Sequence, residues 1–176
     1  MIKFKGLISA LLLLTLFSAC NQTADTADKN DTDPVASAEP ADIKDDQTQE
    51  VYNHYLALKD NLVASNPALV QSSGKELAES LAKIEGCENT AALASKIAES
   101  GDLETQRVNF TALSSDIIAL MKHTDLNSGK LFVQYCPMAN EGEGGYWLAA
   151  EEEIKNPYYG DEMLECGSVE EVISKK

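Results

Sequence analysis

The sequence is poor in the residues from which most catalytic and nucleic-acid-binding sites are made. It has two histidines and one tryptophan, aromatic residues make up 6% of it, and 14 lysines plus arginines face 29 aspartates plus glutamates. A formal net charge of −15 repels a phosphate backbone, and no cluster of lysine or arginine supplies a basic footprint, so DNA and RNA are excluded as partners. With two histidines, zinc-peptidase and Ser-His-Asp sites begin short of residues. There is no Cys-x-x-Cys, and no histidine or other base lies near Cys136 in sequence, which argues against a thiol enzyme and leaves no catalytic residue to name. What the chain does have is enough apolar residue, 44% of 176, for one buried core, and four cysteines and four methionines.

The first 20 residues read as an address followed by a tether. Lys3 and Lys5 form a positive start, residues 7–17 an apolar stretch too short to span a bilayer, and Ser18-Ala19-Cys20 a small-small-Cys ending. That ending resembles a bacterial lipobox, with Phe17 where Leu is more usual. The resemblance implies a signal peptide over 1–19, lipidation (palmitate included) of Cys20 and a lipoprotein held to a membrane of the bacterial cell envelope, on its periplasmic or surface side. Cleavage before Cys20 takes away 19 residues and two lysines and leaves 157 residues with a formal charge of −17. Residues 21–48 are mostly Asp, Thr, Ala, Asn, Ser and Pro with Val35 and Ile43 as the sizeable aliphatics, so 20–48 is expected to be a solvated acidic tether dispensable for folding. The segment lacks the Gly and terminal Glu of a calcium loop. The folded domain is expected over 49–176.

Val51, Tyr55, Leu58 and Leu62 recur at helical spacing and predict a helix from about Gln49 to Ala64. Asn66-Pro67 ends it and opens a second, carrying Val70, Gly74, Leu77, Leu81 and Ile84, with Gly74 allowing a neighbour to approach closely and Gly86 as the stop. Thr90 is read as the cap of a short third helix, and Asp102 as the cap of a fourth carrying Phe110, Leu113, Ile117 and Leu120. The fold class is therefore mostly α, an antiparallel helical bundle. Beyond Asn127-Ser128-Gly129 the texture changes to a small end with loops and strands, rich in Cys, Met and aromatics. Residues 130–135 and 146–148 are strand-like, and Asn156-Pro157-Tyr158-Tyr159-Gly160 is a rigid turn. Ser168 with Glu171 reads as the capping box of a terminal helix.

Cys136 and Met138 are spaced to point the same way from an extended segment, and Met163 and Cys166 to meet on one helical turn. If the two pairs converge, they make a metal site of two thiolates and two thioethers, a soft donor set that selects Cu(I) or a similar ion over zinc, calcium or magnesium. Trp147 could cap the ion with its π face, and Met121, His123 and His54 are further candidate ligands. A second reading stays open beside this one. Cys136 and Cys166 form a structural disulfide, Cys87 is the odd thiol, Met138 and Met163 are packing residues, and the protein is an interaction or structural lipoprotein.

Four motifs carry a family resemblance: Tyr135-Cys136-Pro137-Met138-Ala139, Gly145-Tyr146-Trp147-Leu148, Asn156-Pro157-Tyr158-Tyr159-Gly160 and Met163-Leu164-Glu165-Cys166-Gly167. Over about residues 50–176 the chain resembles the DUF3347 family, domains of unknown function found in secreted lipoproteins and appended to adaptor subunits of heavy-metal efflux pumps. The resemblance implies an envelope protein associated with copper or related metals, with such an adaptor or another envelope protein as partner. It implies no established activity.

Overall fold

The computed structural model describes residues 40–175. The expected signal peptide, Cys20 and most of the expected tether lie outside the described residues. Strand β1 is Asp42–Ile43, followed by helices α1 (Asp46–Val63), α2 (Pro67–Leu81), α3 (Glu88–Glu99) and α4 (Leu103–Lys122). Strands β2 (Leu126–Ser128), β3 (Lys130–Cys136), β4 (Gly145–Ala149) and β5 (Ser168–Ser174) follow, with a short helix α5 (Ala139–Gly142) between β3 and β4 and a 3₁₀ segment (Gly160–Glu162) before β5. The molecule is mostly α with a strand-containing C-terminal end, as its sequence pattern predicts. No helix among the described residues is long and apolar enough to cross a membrane.

Each long helix turns one apolar face inward. Val51, Tyr55, Leu58 and Leu62 of α1 are fully buried, as are Val70, Leu77 and Leu81 of α2, Ile97 of α3 and Phe110, Leu113, Ile117 and Met121 of α4. Pro67 opens α2 after Asn66, whose side-chain oxygen accepts the Leu69 N–H, and Asp102 caps α4 by accepting the Thr105 N–H. Gly74 lets α2 meet α3: a Cβ there would stand 3.2 Å from Ala98 N and 3.3 Å from Ala94 O. The cap of α3 differs from expectation. The helix starts at Glu88 with Cys87 in the cap position and no side-chain cap, because Thr90 already lies inside the first turn and bonds Asp116 of α4 instead.

The folded region also begins earlier than Gln49. Ala41 and Ile43 are 5% and 3% exposed, β1 pairs antiparallel with β2, and α1 starts at Asp46 behind the Asp45 cap. A single isoleucine and two strand residues escape a composition reading, yet the pairing with β2 and the burial of Ile43 make them part of the domain.

Strands β4, β3 and β5 form an antiparallel sheet in that order. The segment 168–174 is therefore a strand and not the expected terminal helix. One short helix is marginal by itself, whereas the free edge of β3 pairs with this backbone on both sides of one bulge. The register slips between Val133 and Gln134, so that Glu171 faces Val133 while Val169 faces Gln134. The capping pair expected of Ser168 is replaced by a bond from its hydroxyl to Glu170.

Candidate functional site: a convergent cysteine pair

Cys136 closes β3 and Cys166 stands two residues before β5. Since Tyr135 pairs with Ser168, the antiparallel register carries the chain back past Cys136 and brings the two sulfurs together. Their Sγ atoms are 2.8 Å apart and both are free thiols. Cys136 is wholly buried and Cys166 half-buried.

The loop that returns Cys166 to this place is held by two side-chain amides, Gln134 and Asn156, whose partners the sequence does not reveal. Gln134, buried in mid-β3, donates its side-chain amide to the carbonyls of Glu151, Glu152 and Glu153, which ties the start of the loop to the sheet. Asn156, fully buried, donates its Nδ2 to the Cys166 carbonyl at 2.8 Å, accepts the Tyr158 N–H on Oδ1, and its own N–H donates to the Leu164 carbonyl. The expected turn at 156–160 thus does more than bear aromatics: its first residue fixes the backbone of Cys166. The signal was present as an Asn before Pro, a pattern that marks a turn but not what its side chain will bind.

The two methionines border the pair. The Met138 amide donates toward the Cys166 sulfur, and the Met138 carbonyl accepts the Tyr159 hydroxyl. Its side chain is half-exposed. Met163 and Cys166 lie in a turn after a short 3₁₀ segment (Gly160–Glu162), closed by the Cys166 N–H donating to the Met163 carbonyl at 3.0 Å. That turn replaces the helical turn expected of the i, i+3 spacing.

Trp147 is fully buried beneath the site: a Cβ on Gly167 would come within 2.9 Å of its ring, and its edge meets Tyr158 at a centroid distance of 6.1 Å. The remaining candidates lie elsewhere. Met121 is a core residue of α4. His123 follows that helix on the surface beside Asp45, Thr48 and Asp125. His54 on α1 bonds Ser80 of α2 through Nδ1. Cys87 lies at the start of α3, where burial, Glu88 and Asp116 push its thiol pKa up. Among the described residues no group of three or more His, Cys, Asp or Glu side chains stands together as a metal cluster.

The Cys166 thiol is held above its ordinary pKa, first by its hydrogen bond with Cys136, then by burial, and by the repulsion a second sulfur charge would add; the Met138 amide pulls the other way. Chemically the pair can do two things. Joined by oxidation, the sulfurs close to the roughly 2.05 Å of a disulfide. Holding one ion on arms of about 2.3 Å at a tetrahedral angle, they must open to about 3.8 Å.

Residues 51–129, from the second turn of α1 to the start of the sheet, match the model of the family described as protein of unknown function (DUF3347). This part of the chain is similar to the DUF3347 family. The DUF3347 match covers α1 from its second turn and all of α2, α3 and α4, and stops at Gly129, one residue before β3, so the cysteine pair and its loop lie beyond it. No curated protein and no solved structure matches the chain.

Proposed function

We propose that the protein is a membrane-anchored envelope module that binds one soft metal ion, Cu(I) foremost, through the reduced thiols of Cys136 and Cys166, with the thioethers of Met138 and Met163 as further ligands. It serves copper or heavy-metal handling, catalyses no reaction, and passes its ion to an efflux adaptor or another envelope protein. One observation supports this above the rest: two thiols separated by 30 positions in the sequence stand 2.8 Å apart at the end of a buried strand. Met163 stands one turn before Cys166, whose N–H donates to the Met163 carbonyl, and Met138 two residues after Cys136, so both methionines are near the pair along the chain. Thiolate and thioether together favour Cu(I) over harder or nitrogen-preferring ions.

The test is a competition. Reduced protein titrated anaerobically against a chromophoric Cu(I) chelator should retain about one ion per chain. Met138→Leu and Met163→Leu, which keep volume nearly constant, should each weaken retention without changing the melting temperature. If a weak chelator keeps all the copper, the metal reading falls.

The 2.8 Å separation itself favours a second reading, since it lies closer to a disulfide than to a chelating pair. In it the two cysteines staple the loop 150–167 to the sheet, and the protein is an anchored interaction module. Reduction should then lower stability by about 2 to 5 kcal/mol, and the methionine changes should leave copper unaffected.

A further inference from the structure

Thiol–disulfide exchange needs one thiol that a donor can reach and a second that completes the bond. The two sulfurs of this site are unequal in that respect. Cys136 is 0% exposed at the inner end of β3, so a donor disulfide has no path to it, whereas Cys166 is partly open to solvent. We propose that Cys166 is the attacking thiol and Cys136 the resolving thiol of a reversible disulfide, formed by exchange with a small-molecule or protein disulfide. The Cys166 thiolate attacks one sulfur of the donor, the donor's S–S bond breaks, and one donor thiolate leaves. The Cys136 thiolate, already at 2.8 Å, then attacks the Cys166 sulfur of the mixed disulfide and expels the second donor thiolate. The two cysteine protons end on the departing thiols or in solvent, and the donor takes up two electrons.

The resolving sulfur is shielded, so the mixed disulfide is short-lived and the reaction ends within the chain. The exchange rests on the same sulfur pair as the proposed metal site and regulates it: the oxidised chain has no thiolate left to offer an ion, and reduction restores both.

Oxidised glutathione is the probe, with peptide mapping to separate any adduct on Cys87. The reduced wild-type chain should lose two hydrogens across Cys136 and Cys166 and carry no lasting glutathione on either. Cys136→Ala should accumulate one glutathione on Cys166, and Cys166→Ala should leave Cys136 unmodified while folded. A brief pulse of iodoacetamide on reduced wild-type protein, which needs no variant, should label Cys166 well before Cys136. Glutathione on Cys136 in the Cys166→Ala chain at a comparable rate, or equal labelling of the two in the pulse, overturns the assignment. The copper competition decides the metal reading independently: exchange in this order with no copper retained leaves the switch without the metal, and copper retained with no exchange leaves the metal without the switch.

Discussion

The hydroxyl of Tyr55 on α1 accepts the backbone N–H of Leu148 at 3.0 Å and meets Ser114 Oγ of α4 at 2.6 Å. Leu148 lies on β4, an outer strand of the three-stranded sheet, so a helix side chain completes an edge that would otherwise bury an unpaired donor. Tyr55→Phe keeps the ring, which stacks on Phe110 at a centroid distance of 5.6 Å, and removes only the oxygen. It should cost about 1 to 3 kcal/mol in chemical denaturation, the penalty of a buried amide left without a partner. A loss below about 0.5 kcal/mol would mean that water replaces the hydroxyl at that edge.

A chain beginning at Gln49 should be markedly less stable than one beginning at Pro40. It loses β1, the buried Ile43 and the bond from the Ile43 N–H to Gln49 Oε1 at 2.7 Å. Burial of one isoleucine side chain alone contributes about 1.5 to 3 kcal/mol, enough to lower the melting temperature by several degrees. Equal melting of the two chains would place β1 outside the cooperative unit.

Asp45 and Asp102 cap α1 and α4, and both carboxyls are held below the ordinary value, chiefly by hydrogen bonds from the hydroxyls and backbone N–H groups of Thr48 and Thr105. A lowered folded-state pKa means that the stabilisation is present above the unfolded carboxylate value of 3.8 and is lost as pH falls through the lower folded value. The melting temperature should therefore fall as acid titrates these caps. The double change Asp45→Asn with Asp102→Asn retains cap oxygens, and should flatten that part of the profile.

Removing Cys136 should move the titration of Cys166 down. Both the hydrogen bond and the charge that raise Cys166 come from this one neighbour, while the opposing Met138 amide stays. In Cys136→Ala, the pH midpoint for alkylation of Cys166 should lie below that of the reduced wild-type chain. An unchanged midpoint would mean that burial alone sets the value.

Asn156 is expected to act through Cys166 as a positioning residue. Asn156→Ala removes the bond to the Cys166 carbonyl and leaves that oxygen unpaired. The oxidised fraction of the cysteine pair at a fixed glutathione redox buffer should fall in this variant, beyond any loss of overall stability read by melting of the reduced chain. Gly167→Ala should act in the same direction, because its φ of +149° disfavours a side chain and a Cβ would stand 2.8 Å from the Tyr135 carbonyl.

Local rules wrote the helices into the sequence. Val51, Tyr55, Leu58 and Leu62 mark their face by spacing alone, and Asn66, Pro67 and Asp102 mark boundaries because a cap is satisfied within its own first turn. The soft-donor inventory and the turn at 156–160 were legible for the same reason. What depends on distant backbone was not: Ser168 and Glu171 carry a helix-start pattern, yet the unpaired edge of β3 draws them into a strand, and Ile43 lies in polar sequence until β2 pairs with it. That Cys136 and Cys166 meet while Met121, His123 and His54 stay apart follows from the register of β3 against β5 and from the hold of Gln134 and Asn156 on the returning loop. Sequence spacing sets which side chains share one turn or one strand face; only the closing of the sheet, where each pairing depends on the others, sets which distant sulfurs touch.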